Sequence, residues 1–407
     1  MNRLPLSSIF LIISGCLLLM MSFGLRSSFG LFVEPIGEFN DWGRDILGLA
    51  LAIQNLAWGV VAVVAGGLAD RFGTTKVLVA GAALYAGGIL MTVNVADVWS
   101  LNAGLGVLIG AGVAGTSFGI VLPAMARAVA PEQRQLVLGI GTAAASAGQF
   151  LLVPVIGHLV ESLGWNAALQ AMSVMAIAMA VLAMPLARRR GQGNDASSQQ
   201  DQNEPSFSEI VGIARGHRPY WLLILGFFVC GFHVAFITVH LPPFLTEAGF
   251  STSVAAWSIS LIGLFNIAGS LLSGVLSGYF GLRNVLIAIY GARAVLITLF
   301  LVLPLTQLSV ILFSCVMGLL WLATVPPTSG LVSSMFGTRY MATFYGVVYL
   351  GHQVGSFSGV WLGGSLYELA GNYNSVWWIA VVLSLLAMVL HWPISEERAG
   401  AMAVDQQ

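Results

Sequence analysis

Ionisable side chains are so scarce in the apolar parts of this chain that each one found there marks a place where chemistry could occur. Of 407 residues, 57% are hydrophobic and 8% charged, against about 25% charged in a soluble domain. Arg26 lies about two thirds of the way along the first apolar stretch, too deep to snorkel easily to the nearer surface. A charge at the bilayer centre costs about 2.5–3.5 kcal/mol on insertion scales and is kept only where it faces protein or water. The planar donor fork of arginine suits a substrate carboxylate. A competing partner is Glu34, eight residues on and about 12 Å further along a helix.

His233 stands 207 residues after Arg26, and a histidine side chain in water titrates near neutrality. A twofold-related placement would set it opposite Arg26 as a second substrate contact or proton carrier; the alternative is a hydrogen-bonded packing residue. Gln149, Asn266, Tyr349 and Gln353 complete the expected substrate site, with Gln54, Asn55 and His352 as further polar groups, although amides and hydroxyls also bond across membrane helices. Arg293 is read as a brace between helices, His240 as a polar group at the interface, and Glu161 and Glu368 as caps or gate contacts. No acid falls near the centre of an apolar stretch, so a cavity holding Arg26 should attract anions and repel cations. There is no phosphate loop, nucleophile triad or Cys/His metal cluster. Cys16, Cys230 and Cys315 have no metal-binding spacing. An enzyme is therefore not expected, nor a cofactor, metal or nucleic-acid partner.

The elements that must position these residues are helices, since about 20 apolar residues cross the hydrocarbon core. Apolar stretches near 7–32, 45–68, 77–95, 100–124, 137–160, 167–187, 220–241, 254–277, 285–304, 308–331, 341–366 and 374–393 give twelve spans in an all-α membrane protein. The first lacks the cleavage pattern of a secretory signal and is read as a retained helix. Basic residues cluster at one end of the spans, including Arg71, Lys76, Arg127, Arg134 and Arg188-Arg189-Arg190, whereas Arg44 is alone at the other. That asymmetry places both termini in the cytoplasm. Residues 188–218 are Arg-, Gly-, Ser- and Gln-rich and read as a flexible linker. The expected division is a six-helix bundle over 1–187, the linker, a second bundle over 219–393 and a tail over 394–407.

The two bundles are copies. Gly24, Phe29 and Pro35 return as Gly231, Phe236 and Pro242. Gly139, Gly148, Gly157, Glu161 and Gly164 return as Gly346, Gly355, Gly364, Glu368 and Gly371, again 207 residues on. Parallel repeats imply two similar bundles about an axis along the membrane normal, with a substrate site between them near the midplane.

Between the second and third helices runs Gly66-Gly67-Leu68-Ala69-Asp70-Arg71-Phe72-Gly73-Thr74-Thr75-Lys76, which resembles the loop signature of the major facilitator superfamily. Gly66, Asp70, Arg71 and Gly73 are expected to form a conformational latch: the glycines let helix ends approach, and Asp70 can pair with a basic residue across the interface. Gly278 replaces the acid in the second copy, so the latch belongs to the first half. Arg26-Ser27-Ser28-Phe29-Gly30-Leu31-Phe32 and Cys230-Gly231-Phe232-His233, with His240-Leu241-Pro242-Pro243-Phe244-Leu245, are similar to the monocarboxylate-transporter-like branch found in bacteria. The resemblance implies a monomeric carrier of the inner membrane that moves small organic anions by alternating access, often with protons. It also implies an Asp and an Arg one turn apart on the eighth helix, where this chain has Asn266 and Ser270. A coupled proton must then ride on His233 or on the carboxyl group of the substrate. The expected function is secondary transport of a monocarboxylate through the lipid bilayer. The alternative is an exporter of drugs or metabolites, toward which Val153-Pro154-Val155-Ile156-Gly157 points by its similarity to an exporter-associated motif. A receptor is disfavoured, since no soluble signalling domain is present.

Overall fold

With no water to satisfy N–H and C=O groups in hydrocarbon, a chain this apolar must pair its backbone internally, and every regular element among the described residues is a helix. The computed structural model describes residues 5–129, 131–186, 207–336 and 341–396. Ten stretches are long and apolar enough to cross a membrane. One of them, within Pro131–Leu182, is two helices broken at Gly164 (φ 83°). An eleventh stretch, Met341–Ala370, is 30 residues long; Tyr349, His352, Gln353 and several serines and glycines make it more polar than the rest. Among the described residues, twelve long helices therefore result: α1 (Ser8–Asn40), α2 (Arg44–Phe72), α3 (Thr74–Val93), α4 (Val98–Arg127), α5 (131–163), α6 (165–182), α7 (Arg218–Glu247), α8 (Thr252–Phe280), α9 (Leu282–Val302), α10 (Gln307–Phe336), α11 (Met341–Ala370) and α12 (Asn374–His391).

The sequence repeat corresponds to repeated geometry. Gly73 and Gly281 end α2 and α8 at φ 97° and 85°, and Gly164 and Gly371 end α5 and α11 at φ 83° and 67°, a region that L side chains rarely enter. A Cβ on Gly148 or Gly355 would run into the backbone carbonyl of Met20 or Phe228, so α1 packs on α5 as α7 packs on α11. Ser22 bonds Thr116 at 2.9 Å, and 208 residues later Cys230 bonds Thr324 at 3.1 Å.

α6, α9 and α12 expose apolar side chains at helical spacing, such as Val174, Ile177 and Val181, or Val295, Leu299 and Val302. Such a stripe suits lipid. Of the expected linker over 188–218, residues 188–206 lie outside the described residues, and Phe207–Gly216 is a short helix. In α4, a π-helical turn over Asn102–Leu108 and an extended Ser117 (ψ −176°) break the rod. α10 is interrupted between Leu320 and Val325, just before Pro326 and Pro327, residues that cannot continue the backbone ladder.

Candidate functional site

Asn55 fixes the orientation of Arg26. The amide donates from Nδ2 to the Leu51 carbonyl at 2.9 Å, which turns Oδ1 toward α1, where it accepts from Arg26 Nη2 at 2.6 Å. The guanidinium also lies over the Trp58 ring, 4.7 Å from its centroid. Among the described residues no carboxylate pairs with Arg26: Glu34, the competing partner, instead lies 3.6 Å from Arg44 and accepts from Thr246 Oγ1 at 2.6 Å. A neutral amide and a ring thus orient a cation that remains half-buried and uncompensated.

The second set of helices reaches the same place through α11. Gln353 Nε2 donates to the Asn55 carbonyl at 3.1 Å, and its Oε1 accepts from His352 Nδ1 at 3.0 Å. Because Oε1 can only accept, His352 carries its proton on Nδ1. Its ring stacks on Tyr349 at 5.6 Å, and Tyr349 meets the edge of Trp58 at 5.8 Å. A Cβ on Gly59 would sit 2.8 Å from Gln353 Cβ, so glycine is what allows this approach of α2 to α11. Arg26, Tyr349 and Gln353 are thereby brought together at the junction of the two halves. Asn55 and His352 join them, as does Trp58, which sequence reasoning missed.

Gln149 and Asn266 form a different seam, between α5 and α8. Gln149 Nε2 donates to the Ile259 carbonyl at 2.8 Å, and Asn266 Nδ2 to Ser146 Oγ at 3.0 Å. Asn266 Oδ1 also accepts from the Leu322 N–H at 3.0 Å, inside the break of α10. Both side chains are committed to joining helices.

His233 corrects an expectation. It is fully buried and turned into its own bundle, with Nε2 2.9 Å from the Ala380 carbonyl on α12, and does not face Arg26. His233→Gln is accordingly expected to leave the pH dependence of transport unchanged while lowering stability by about 1–2 kcal/mol through loss of one interhelical bond. Transport measured at several pH values and a thermal melt check both parts. His240 is likewise buried, 2.8 Å from the Val360 carbonyl, rather than at an aqueous interface. Arg293, also fully buried, donates to the Leu320 and Trp321 carbonyls where α10 breaks. It braces that break by satisfying the carbonyl end of a helix.

Among the described residues, the hydrogen bonds and ion pairs that join the halves lie at one end and in the middle. At the Arg44 end, Arg44 Nη1 bonds Glu247 Oε2 at 3.0 Å, its guanidinium lies 4.1 Å from the Tyr367 ring centroid, and its backbone N–H donates to Glu368 at 2.7 Å. The repeat partner of Glu368, Glu161, accepts from the Ser253 N–H at 2.7 Å. Each carboxylate thus caps the N-terminus of a helix in the other half, a favourable placement for an anion. At the Gly73 end, no hydrogen bond or ion pair joins the halves among the described residues. A Cβ on Gly66, Gly67, Gly274 or Gly278 would meet nothing within 4 Å. The close approach expected of Gly66 is therefore not made in this conformation. Arg71 is exposed, its guanidinium over Phe72 at 5.2 Å, and the Asp70 side chain lies outside the described residues. Arg127, from α4, donates to Thr74 Oγ1 at 3.0 Å beside this loop.

Comparison with known proteins gives the geometry a context. A family model described as Major Facilitator Superfamily matches residues 15–360. The chain is 26% identical over 372 residues to the uncharacterized MFS-type transporter YcxA of Bacillus subtilis (strain 168), covering 90% of each. It is 26% identical over 392 residues to the oxalate:formate antiporter of Oxalobacter formigenes, covering 94% of this chain and 90% of that one. Rat (Rattus norvegicus) monocarboxylate transporter 13 is 23% identical over 377 residues, covering 88% and 82%. Among solved structures, a bacterial homolog of the human lysosomal transporter Spinster, described as inward-facing and unoccupied, superposes with a TM-score of 0.76 at 15% identity, covering 96% of this chain and 97% of that one.

Proposed function

Because this chain belongs to the major facilitator superfamily, we propose that it carries a small organic anion with one carboxylate across the membrane by alternating access. The protein is a multi-pass membrane transporter and not an enzyme. The observation that carries the anion reading is Arg26: a cation at the junction of the halves, held by Asn55 and Trp58 with no carboxylate partner among the described residues. The similarity to an oxalate:formate antiporter and to monocarboxylate transporters supports the same substrate class. The bundles over 1–187 and 219–393 are the moving units, joined by 188–218. The excess of basic residues at the Gly73 end supports a cytoplasmic placement of that end, and with it a structure closed at the Arg44 end reads as an inward-facing state. With His233 turned into its own bundle, any coupled proton rides on the substrate carboxyl group.

The test is flux into proteoliposomes containing the purified protein, preloaded with unlabelled formate, acetate or benzoate and given the labelled acid outside. Exchange of at least one acid with its own gradient supports the reading. Absence of carboxylate exchange, together with accumulation of a cationic dye or drug, would replace it by the exporter.

A further inference from the structure

Among the described residues, aromatic rings rather than further charges border Arg26. On α1, Phe23 precedes it by three residues and lies 4.3 Å from the Phe118 ring of α4 and 5.9 Å from Trp58 of α2. Trp58 meets Tyr349 at 5.8 Å, Tyr349 stacks on His352 at 5.6 Å, and His352 lies 4.9 Å from Phe227 of α7. The rings form a continuous belt from the first half to the second, with the guanidinium over one of its members. Phe23, Phe118 and Tyr349 are only half-buried although they sit inward of the seal made by Arg44. Part of each ring is therefore left uncovered by the protein. Among the described residues, no hydrogen bond, ion pair or cation–π contact brings a second Lys or Arg to the belt.

The geometry points to a carried anion with one carboxylate and a flat apolar body, of the aromatic-acid class. This deepens the carboxylate reading and rests on it. The carboxylate pairs with Arg26, while the planar body lies against Phe23, Phe118 and Tyr349, replacing water on their faces and adding offset or edge contacts. A second carboxylate would lose its hydration without meeting a second cation among the described residues of the belt. A short aliphatic acid would leave the ring faces uncovered.

Binding to the purified full-length protein, measured by thermal shift and checked by tryptophan fluorescence, separates the possibilities with benzoate, cyclohexanecarboxylate, acetate and terephthalate as probes. Benzoate is expected to bind about tenfold or more tighter than acetate and terephthalate, and several-fold tighter than cyclohexanecarboxylate, which matches its bulk but not its flatness. Phe118→Leu, compared with wild type at matched melting temperature of the free protein, should lower the benzoate-to-acetate ratio by about fivefold. Equal affinity for acetate and benzoate, preference for terephthalate, or an unchanged ratio in Phe118→Leu each overturns the aromatic-acid assignment and leaves the carboxylate reading standing. If none of the four acids binds, the carboxylate reading falls and takes this inference with it.

Discussion

Replacing Arg26 by alanine is expected to lower carboxylate affinity by about 30-fold to several thousandfold, corresponding to about 2–5 kcal/mol for removing one partner of a desolvated charge pair. Bulk water cannot easily substitute here, because Asn55 and Trp58 hold the guanidinium at the junction between the halves. Arg26→Lys should recover only part of the loss: the charge returns, but the planar fork that can engage Asn55 and a carboxylate together does not. Asn55→Ala should act more weakly than Arg26→Ala, since it frees the guanidinium to wander without removing it. Uptake and counterflow in proteoliposomes read the effect, and the melting temperature of the unliganded protein confirms that the variants fold. An Arg26→Ala protein that exchanges carboxylates with wild-type affinity would move the site elsewhere.

The depth of Arg26 made it legible in the sequence, because few other residues in the spans could be charged. Its partners were legible only as polar residues on α2 and α11, since which amide turns toward which helix depends on packing. The repeat was legible for a physical reason as well: Gly73, Gly164, Gly281 and Gly371 sit at positive φ, and Gly148 and Gly355 lie where a Cβ would strike backbone. The same repeat misled over His233. The shared side-chain contacts, Ser22 with Thr116 and Cys230 with Thr324, are offset by 208 residues, which matches His233 to the fully buried Leu25 and not to Arg26. One residue on a helix turns a side chain by about 100°, enough to exchange the central face for the face packed on α12. Trp58, Phe23 and Phe118 gave no signal at all, because aromatic residues are spread through nearly every span and line a cavity or fill a core with the same spacing.

Arg44→Ala is expected to shift the protein toward a state open at the Arg44 end by about 30- to 140-fold. Arg44 belongs to the first half, yet its guanidinium bonds Glu247 and lies 4.1 and 5.4 Å from the Tyr367 and Tyr373 rings, all of the second half. An isolated surface ion pair contributes about 0.2–1 kcal/mol and a cation–π contact about 0.5–2 kcal/mol. Arg44 makes both kinds at once from a side chain only 14% exposed, so about 2–3 kcal/mol is the expected loss, at tenfold per 1.4 kcal/mol. The backbone contact with Glu368 survives the substitution, which is why the end should loosen rather than come apart. Spin labels at the exposed Phe39 and Leu369, one on each half, should report longer distances in Arg44→Ala than in wild type. Labels at Phe72 and Phe280 should report shorter ones if the two ends alternate. Glu247→Gln should produce a smaller shift in the same sense, and adding it to Arg44→Ala should change little, because the two residues act through one contact. Unchanged distances at both ends in Arg44→Ala would mean that the seal is held by the Glu161 and Glu368 helix caps and by the packing of α2 on α11, without help from the arginine.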